Sequence, residues 1–223
     1  MPLTPELAAW RKAERATLIA RRQAAPAADH ARWSRAIEAA LRLACPVGPG
    51  WVVGLCWPFQ AEFDARPLAE SFRAAGARLA LPAVVAKAEP LEFREWWPGA
   101  TLAPGVYGLL APQGTATLLP DVLLVPPVGI GGAGDRLGYG GGFFDRTLAA
   151  LSPRPLTFAH AFELSRLPTT YPQAHDILMD FVFTEAGVEA AVPGGLRRIT
   201  PGECRELALE LAARRGLPRG RVP

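Results

Sequence analysis

Gly134-Asp-Arg-Leu-Gly-Tyr-Gly-Gly-Gly-Phe-Phe-Asp-Arg146 ends a stretch, residues 129–142, in which eight of fourteen positions are glycine. Glycines let a backbone come close to a ligand, and a helix that follows such a loop aims its first N–H groups at whatever sits there. Arg136 adds a planar donor fork suited to phosphate, and Asp145 a carboxylate suited to a hard cation. A buried-strand pattern leads in (121–126) and a helical pattern leads out (143–151). The segment is therefore read as a loop for a phosphorylated ligand. A flexible linker would not carry an Arg-Leu pair, two phenylalanines and an acid between a strand and a helix. No G-x-x-x-x-G-K-[ST] occurs, which excludes an ordinary P-loop. Gly138-Tyr-Gly140-Gly-Gly142 matches a dinucleotide loop only loosely, with no ribose-binding acid at the expected distance.

Three other segments carry candidate chemistry. Trp57-Pro-Phe-Gln-Ala-Glu62-Phe-Asp64 follows a strand, and α/β proteins bind ligands at strand ends. Trp57 and Phe59 could stack on a flat ring and Glu62 accept hydrogen bonds from ring nitrogens. A hydrophobic turn with a solvated acid fits the segment equally well. Asp176, in His175-Asp176, precedes a strand, where acids more often cap a turn; paired with Asp145 it would complete an oxygen-ligand Mg²⁺ site. In a helix over 5–22, Arg11, Arg15 and Arg22 fall on one face. Charge pattern alone reads that face as solvated, the alternative being a cationic arm toward the loop's ligand. His30, His160 and His175 are scattered and read as structural or surface residues. No Ser-His-Asp or Cys-His set stands out, so chemistry here would rest on phosphate electrostatics rather than a nucleophilic side chain.

The elements that must position these groups follow from periodicity and breakers. A second helix spans 30–44, with Trp33, Ile37 and Leu41 as its buried stripe. Strands are expected at 51–57, 79–85, 121–126, 156–161 and 178–184, and helices at 67–75 and 143–151. Residues 87–118, rich in Pro and Gly, read as irregular or short antiparallel structure. This alternation argues for an α/β sheet covered on both faces. Residues 1–184 would form the body. Residues 185–223 would be an appendage with a linker at 192–195, an amphipathic helix at 201–215 striped by Leu207 and Leu211, and a disordered end at 216–223.

The whole chain bounds the answer only loosely. Its 223 residues suffice for a substantial core, and a net charge of +3 suits an anionic small molecule as well as nucleic acid. Cys45, Cys56 and Cys204 are odd in number and unclustered, which reads as free thiols in a reducing cytoplasm. Charges at Glu6, Arg11, Lys12, Glu14 and Arg15 break any signal-peptide run, and no segment approaches the roughly 20 apolar residues needed to span a bilayer.

Taken together, the segments resemble the 5-formyltetrahydrofolate cyclo-ligase family, also called 5,10-methenyltetrahydrofolate synthetases, over residues 8 to about 184. The resemblance rests on the basic first helix, the Pro-x-x-x-Glu-x-Asp turn after the first strand, Phe93 with Trp97-Pro-Gly99, and the His-Asp before the last strand. Its strongest part is Arg136-Leu-Gly-Tyr-Gly-Gly-Gly-Phe-Phe-Asp-Arg146. It implies a three-layer α/β/α fold with a mostly parallel sheet, of the cyclo-ligase type. It also implies a cytoplasmic enzyme that uses ATP and Mg²⁺ to close 5-formyltetrahydrofolate to the 5,10-methenyl form, releasing ADP and phosphate. ATP would phosphorylate the formyl oxygen, a neighbouring nitrogen would attack the activated carbon, and phosphate would depart.

By the same resemblance Arg11, Lys12 and Arg15 with Arg136, Leu137, Gly138, Tyr139, Gly140, Gly141, Gly142, Phe143 and Phe144 would hold ATP. Trp57, Glu62 and residues 139–143 would contact the reduced folate, Asp145 and Asp176 would hold Mg²⁺, and Arg136 and Tyr139 would be catalytic. The implied partners are small molecules only, without nucleic acid or membrane, acting on a monomer. Several positions depart from the family pattern. Arg11 stands for the usual Lys, Ala111 for an acid before Pro112, and Phe144 for Tyr, while Pro126-Pro-Val-Gly-Ile130 replaces a Phe-Asp after the strand. These departures motivate an alternative, a nucleotide- or folate-binding regulatory relative without turnover. A nucleic-acid module ranks last, since no RNA-recognition motif or concentrated basic stripe is present.

Overall fold

A computed structural model describes residues 4–218. In chain order its main elements are α1 (Pro5–Gln23), α2 (Ala27–Ala44), β1 (Val52–Gly54), α3 (Leu68–Ala74), β2 (Arg78–Ala83), β3 (Glu92–Trp96), β4 (Leu102–Pro104), β5 (Leu110–Pro112), β6 (Thr117–Leu118), β7 (Val122–Val125), β8 (Gly129–Ile130), β9 (Arg136–Leu137), α4 (Phe143–Ala150), β10 (Leu156–His160), β11 (Phe181–Thr184), β12 (Gly187–Val192), β13 (Gly195–Ile199) and α5 (Pro201–Arg215). Among the described residues no helix is long and apolar enough to cross a membrane.

The central sheet runs β13-β12-β11-β10-β7-β1-β2-β3-β6. Its five middle strands, β11 to β2 in that order, are parallel, and the strands added at either edge are antiparallel. Side-chain alternation explains the three layers. Val53, Leu79, Leu81, Val122, Leu124, Leu156, Phe158, Phe181 and Phe183 face one side, where α2, α3 and α5 supply Ile37, Leu41, Leu68, Phe72, Cys204, Ala208 and Ala212. Ala80, Leu123, Val125, Ala159 and Val182 face the other, closed by Leu148 and Phe144 of α4. Helix α1 lies apart from both, with Leu18 against Val128 and Leu137.

Gly54 is where the sheet is tightest. A Cβ there would meet Leu123 Cδ2 at 2.5 Å and Phe93 Cε1 at 2.8 Å, both inside the core. Gly54→Ala is therefore expected to destabilise the fold by about 1–3 kcal/mol through overpacking, read as a shift in the urea midpoint with an unchanged slope.

Several expectations are corrected by the structure. The strand expected at 51–57 is only three residues long, because the chain leaves the sheet at Leu55 to build the 57–64 turn. The second helix begins at Ala27 rather than residue 30. The linker expected at 192–195 is the turn of the β12–β13 hairpin, where Gly194 and Gly195 take positive φ. Residues 185–215 thus extend the main sheet and share its core, instead of resting on it from outside. The buried stripe of α5 is Cys204, Ala208 and Ala212, small residues that let it pack on α2, while Leu207 and Leu211 are only partly buried. Thr200 and Glu203 form a reciprocal capping box at its start. Of the end expected to be disordered, Leu217 and Pro218 are buried, and 219–223 lie outside the described residues. The three cysteines are free thiols.

Candidate active site

The chain runs from β1 outward to β2, then returns to place β7 on β1's other side before moving on to β10 and β11. That reversal makes the carboxyl ends of β1 and β7 a topological switch point, the usual ligand position in such sheets. The 55–64 turn leaves β1 there, the glycine-rich segment leaves β7, and His160 ends β10 beside them. Helix α1 crosses this end.

Helix α1 starts cleanly, with Thr4 accepting from Leu7 N (3.3 Å) and Pro5 in its first turn. Its arginine face is buried rather than solvated, which corrects the reading from charge pattern. Arg11 is 8% exposed and Arg22 2%. Arg11 donates to the carbonyls of Thr170 (3.3 Å) and Tyr171 (2.9 Å) and to Asp176 Oδ2 (2.9 Å). Arg15 donates its Nε to the Gly138 carbonyl (2.7 Å), which ties the helix to the glycine loop. Burial, and then the charge of Arg11, pushes the Arg15 pKa down. Two cations held near each other with part of their hydration removed favour an anion between them. Lys12 is exposed.

The glycine segment has two parts. Its first half forms the β8–β9 hairpin, held by Asp135, which accepts from Thr170 N (2.9 Å), Thr170 Oγ1 (2.6 Å) and Ala133 N (3.1 Å). Val128, inside the divergent 126–130 stretch, packs against Leu18 and Leu137. The second half, 138–142, runs exposed into α4, whose N-cap is Gly142 in the left-handed region (φ 65°) with no side-chain cap. Leu137 is buried beneath it, and Phe144 packs into the sheet. The Phe143 ring lies 5.1 Å from the Arg146 guanidinium, which also donates to the Gly141 carbonyl (2.6 Å).

Arg136 does not extend freely toward a phosphate. Its side chain is 5% exposed; Nη2 donates to Asp145 Oδ1 (2.7 Å) and Nη1 to the Ile177 carbonyl. Asp145 Oδ1 also accepts from Ile177 N (3.0 Å), and Asp176 Oδ2 from Gln173 N (2.8 Å). Asp145 and Asp176 are thus brought together across the 176–177 peptide, with Arg136 feeling both charges. No cluster of three or more His, Cys, Asp or Glu side chains suited to a metal occurs among the described residues. A carboxylate pair of this kind still fits Mg²⁺, which commonly takes one or two carboxylates and fills its shell with phosphate oxygens and water.

On the other side of the loop, Tyr139 reaches back to the 57–64 turn. Its hydroxyl donates to Glu62 Oε1 (2.6 Å) and accepts from Arg22 Nη2 (2.9 Å), and its ring lies 5.7 Å from Phe59. Glu62 Oε2 accepts from Phe59 N (3.0 Å). Burial raises the Glu62 pKa to about 7 against the opposing pull of Tyr139, Arg22 and the Phe59 amide. Burial and the Glu62 charge raise the Tyr139 hydroxyl in turn. Trp57 is half-buried, with the Arg66 guanidinium 4.2 Å from its ring centroid and Asp64 holding Arg66 in place. Two groups here were missed as site residues. Arg22 was legible from its spacing with Arg11 and Arg15. His160 had no sequence signal beyond its place at a strand end; it is buried with neither ring nitrogen hydrogen-bonded, and burial, then Arg22, pushes its pKa down to about 3.

A doubly wound α/β sheet with an arginine helix and a glycine loop over its switch point defines a small-molecule enzyme of the three-layer class. The chain belongs to the 5-formyltetrahydrofolate cyclo-ligase family, an enzyme family that it matches over residues 7–185. It is 33% identical over 153 residues to the 5-formyltetrahydrofolate cyclo-ligase of Escherichia coli (strain K12), covering 64% of this chain and 82% of that one. It is 32% identical over 157 residues to the 5-formyltetrahydrofolate cyclo-ligase of Mycolicibacterium smegmatis, covering 60% and 78%. The fold is similar to the solved 5,10-methenyltetrahydrofolate synthetases of Aquifex aeolicus (TM-score 0.66, 23% identity, covering 84% of this chain and 92% of that one) and Mycoplasma pneumoniae (0.64, 20%, 78% and 98%).

Proposed function

We propose that this chain converts 5-formyltetrahydrofolate to 5,10-methenyltetrahydrofolate with ATP and Mg²⁺, releasing ADP and phosphate. The observation that carries this reading is the double attachment of the glycine loop, through Gly138 to Arg15 and through Tyr139 to Glu62. One loop thereby borders a cationic compartment and an aromatic one, as a reaction joining a triphosphate to a flat ring system requires.

Arg11, Lys12, Arg15 and the exposed backbone of 138–142 bind the phosphates, with Arg136, Leu137 and Phe144 anchoring that loop to the body. Trp57, Glu62 and residues 139–143 take the folate. Asp145 and Asp176 are the groups that would hold Mg²⁺, which when bound neutralises phosphate charge. Arg136 orients Asp145 and the 176–177 peptide, and Tyr139, its hydroxyl held by Glu62 and Arg22, offers its ring to the folate. The formyl oxygen attacks the γ-phosphorus and ADP leaves; the neighbouring amine nitrogen then attacks the activated carbon, loses its proton, and phosphate departs. Such chemistry demands alignment and charge neutralisation more than a strong base.

Mixing the protein with Mg²⁺, ATP and 5-formyltetrahydrofolate is expected to generate the near-ultraviolet absorbance of the methenyl product with stoichiometric ADP. Folded protein that binds nucleotide and gives neither signal at high concentration would instead support the regulatory reading drawn from Pro126–Ile130.

A further inference from the structure

Glu62 is buried in the 57–64 turn, its side chain 3% exposed, and the cation that holds it there is Arg22. Arg22 lies on the last turn of α1, its side chain 2% exposed and its Nε and Nη2 both taken up by protein groups. Its guanidinium donates to the carbonyls of Gln60 (2.9 Å) and Phe59 (3.4 Å) and to the Tyr139 hydroxyl (2.9 Å), and lies 3.8 Å from Glu62 Oε1. Three segments far apart in sequence therefore meet on one cation: α1, the 59–62 turn and the glycine loop. We propose that Arg22 is a positioning residue, fixing the Glu62 carboxylate and the Tyr139 hydroxyl relative to each other so that Glu62 presents an acceptor to the folate ring. This rests on the reading above for the identity of the ring, but the geometry of the Arg22 contacts does not.

The physical consequence concerns ionisation. Glu62 is a carboxylate that burial drives toward its neutral form. The charged and titratable groups around it are Arg22 from α1, Tyr139 from the loop, Cys56 beside it, and His160 of β10, which faces Arg22. Arg22 is the cation among them. With Arg22 present Glu62 is about half ionised at pH 7; without it the buried carboxylate loses its counter-charge and is mostly protonated there. A protonated Glu62 no longer offers both oxygens to ring N–H donors.

The test reads Glu62 itself. The Glu62 carboxyl is titrated by ¹³C NMR in the ligand-free wild type, Arg22→Met and Arg22→Lys, with folding checked by circular dichroism. In parallel, affinities for 5-formyltetrahydrofolate and for ADP are measured by tryptophan fluorescence. Arg22→Met is expected to raise the Glu62 midpoint by about one unit or more and to weaken folate binding about fivefold or more at pH 7, with ADP affinity changed less than about threefold. Arg22→Lys, keeping charge without the fork, is expected to restore most of the midpoint and part of the affinity. A midpoint unmoved in Arg22→Met, or moved with wild-type folate affinity, overturns the proposal. Wild-type protein that binds no folate overturns the reaction assignment instead, and the Glu62 titration then decides Arg22 separately.

Discussion

Arg136→Met is expected to lower turnover by about 10²–10³-fold and to destabilise the protein by about 2–3 kcal/mol. Arg136 supplies the positive charge between Asp145 and Asp176, and its fork bonds Asp145 while its other arm holds the Ile177 carbonyl. Without it, two neighbouring carboxylates lose a shared counter-charge and the 176–177 peptide keeps only its Ile177 N bond to Asp145 at the start of α4. Breaking a fully buried pair costs about 3–5 kcal/mol; the lower figure applies because Asp145 is 23% exposed and water can partly compensate. The rate loss is expected to exceed the stability loss because in-line phosphoryl transfer depends on sub-ångström alignment. Arg136→Lys retains the charge and loses the fork, so it should recover most of the stability and little of the rate. Denaturation midpoints and initial rates of methenyl formation measured on the same preparations check this. Wild-type turnover in folded Arg136→Met would remove Arg136 from the machinery.

The second large effect concerns acid. In the folded state the His160 pKa lies at about 3, far below its ordinary value of 6.5, because burial penalises the imidazolium. The unfolded chain therefore binds a proton that the folded chain refuses. The stability this contributes is present above pH 6.5 and is lost as pH falls toward 3, by roughly 3–5 kcal/mol in all. Glu62 acts in the opposite sense. Its folded pKa of about 7 exceeds its ordinary 4.5, so its contribution is present below 4.5 and is lost as pH rises through 7, by roughly 3 kcal/mol. Between pH 7 and 4.5 the two nearly cancel in the wild type.

Substitution should separate them. His160→Phe removes the imidazole and leaves an apolar ring beside Phe63, so its stability is expected to rise on acidification from pH 7 to 4.5. Glu62→Gln should fall over the same range. Urea midpoints at half-unit pH intervals give the two slopes directly; a His160→Phe curve running parallel to the wild type would disprove the account.

Much of the candidate site could be read from the sequence because its signals are local. A glycine run between a strand and a helix is a statement about neighbouring residues, and 136–146 read as a phosphate loop without any tertiary information. The spacing of Arg11, Arg15 and Arg22 likewise placed them on one face. The direction of that face was not legible. Exposed and buried arginines have the same helical spacing, and only the packing of α1 across the strand ends gives these three their carbonyl and carboxylate partners. The C-terminal region was misjudged for a related reason. Val192-Pro-Gly-Gly195 has the composition of a linker and of a tight hairpin turn alike, and the distinction depends on whether a sheet edge is available to pair with.

The sequence by itself determined the family, the two-sided α/β sheet, the loop and the identities of the polar groups around it, since these follow from short-range pattern and residue chemistry. Only the tertiary structure decided what those groups do to one another. It turned Arg136 inward onto Asp145, brought Tyr139 and Arg22 onto Glu62, and buried His160 near Arg22. The physical reason is that charge, hydration and pKa depend on distances between residues such as 22, 62, 139 and 160, which no local pattern encodes.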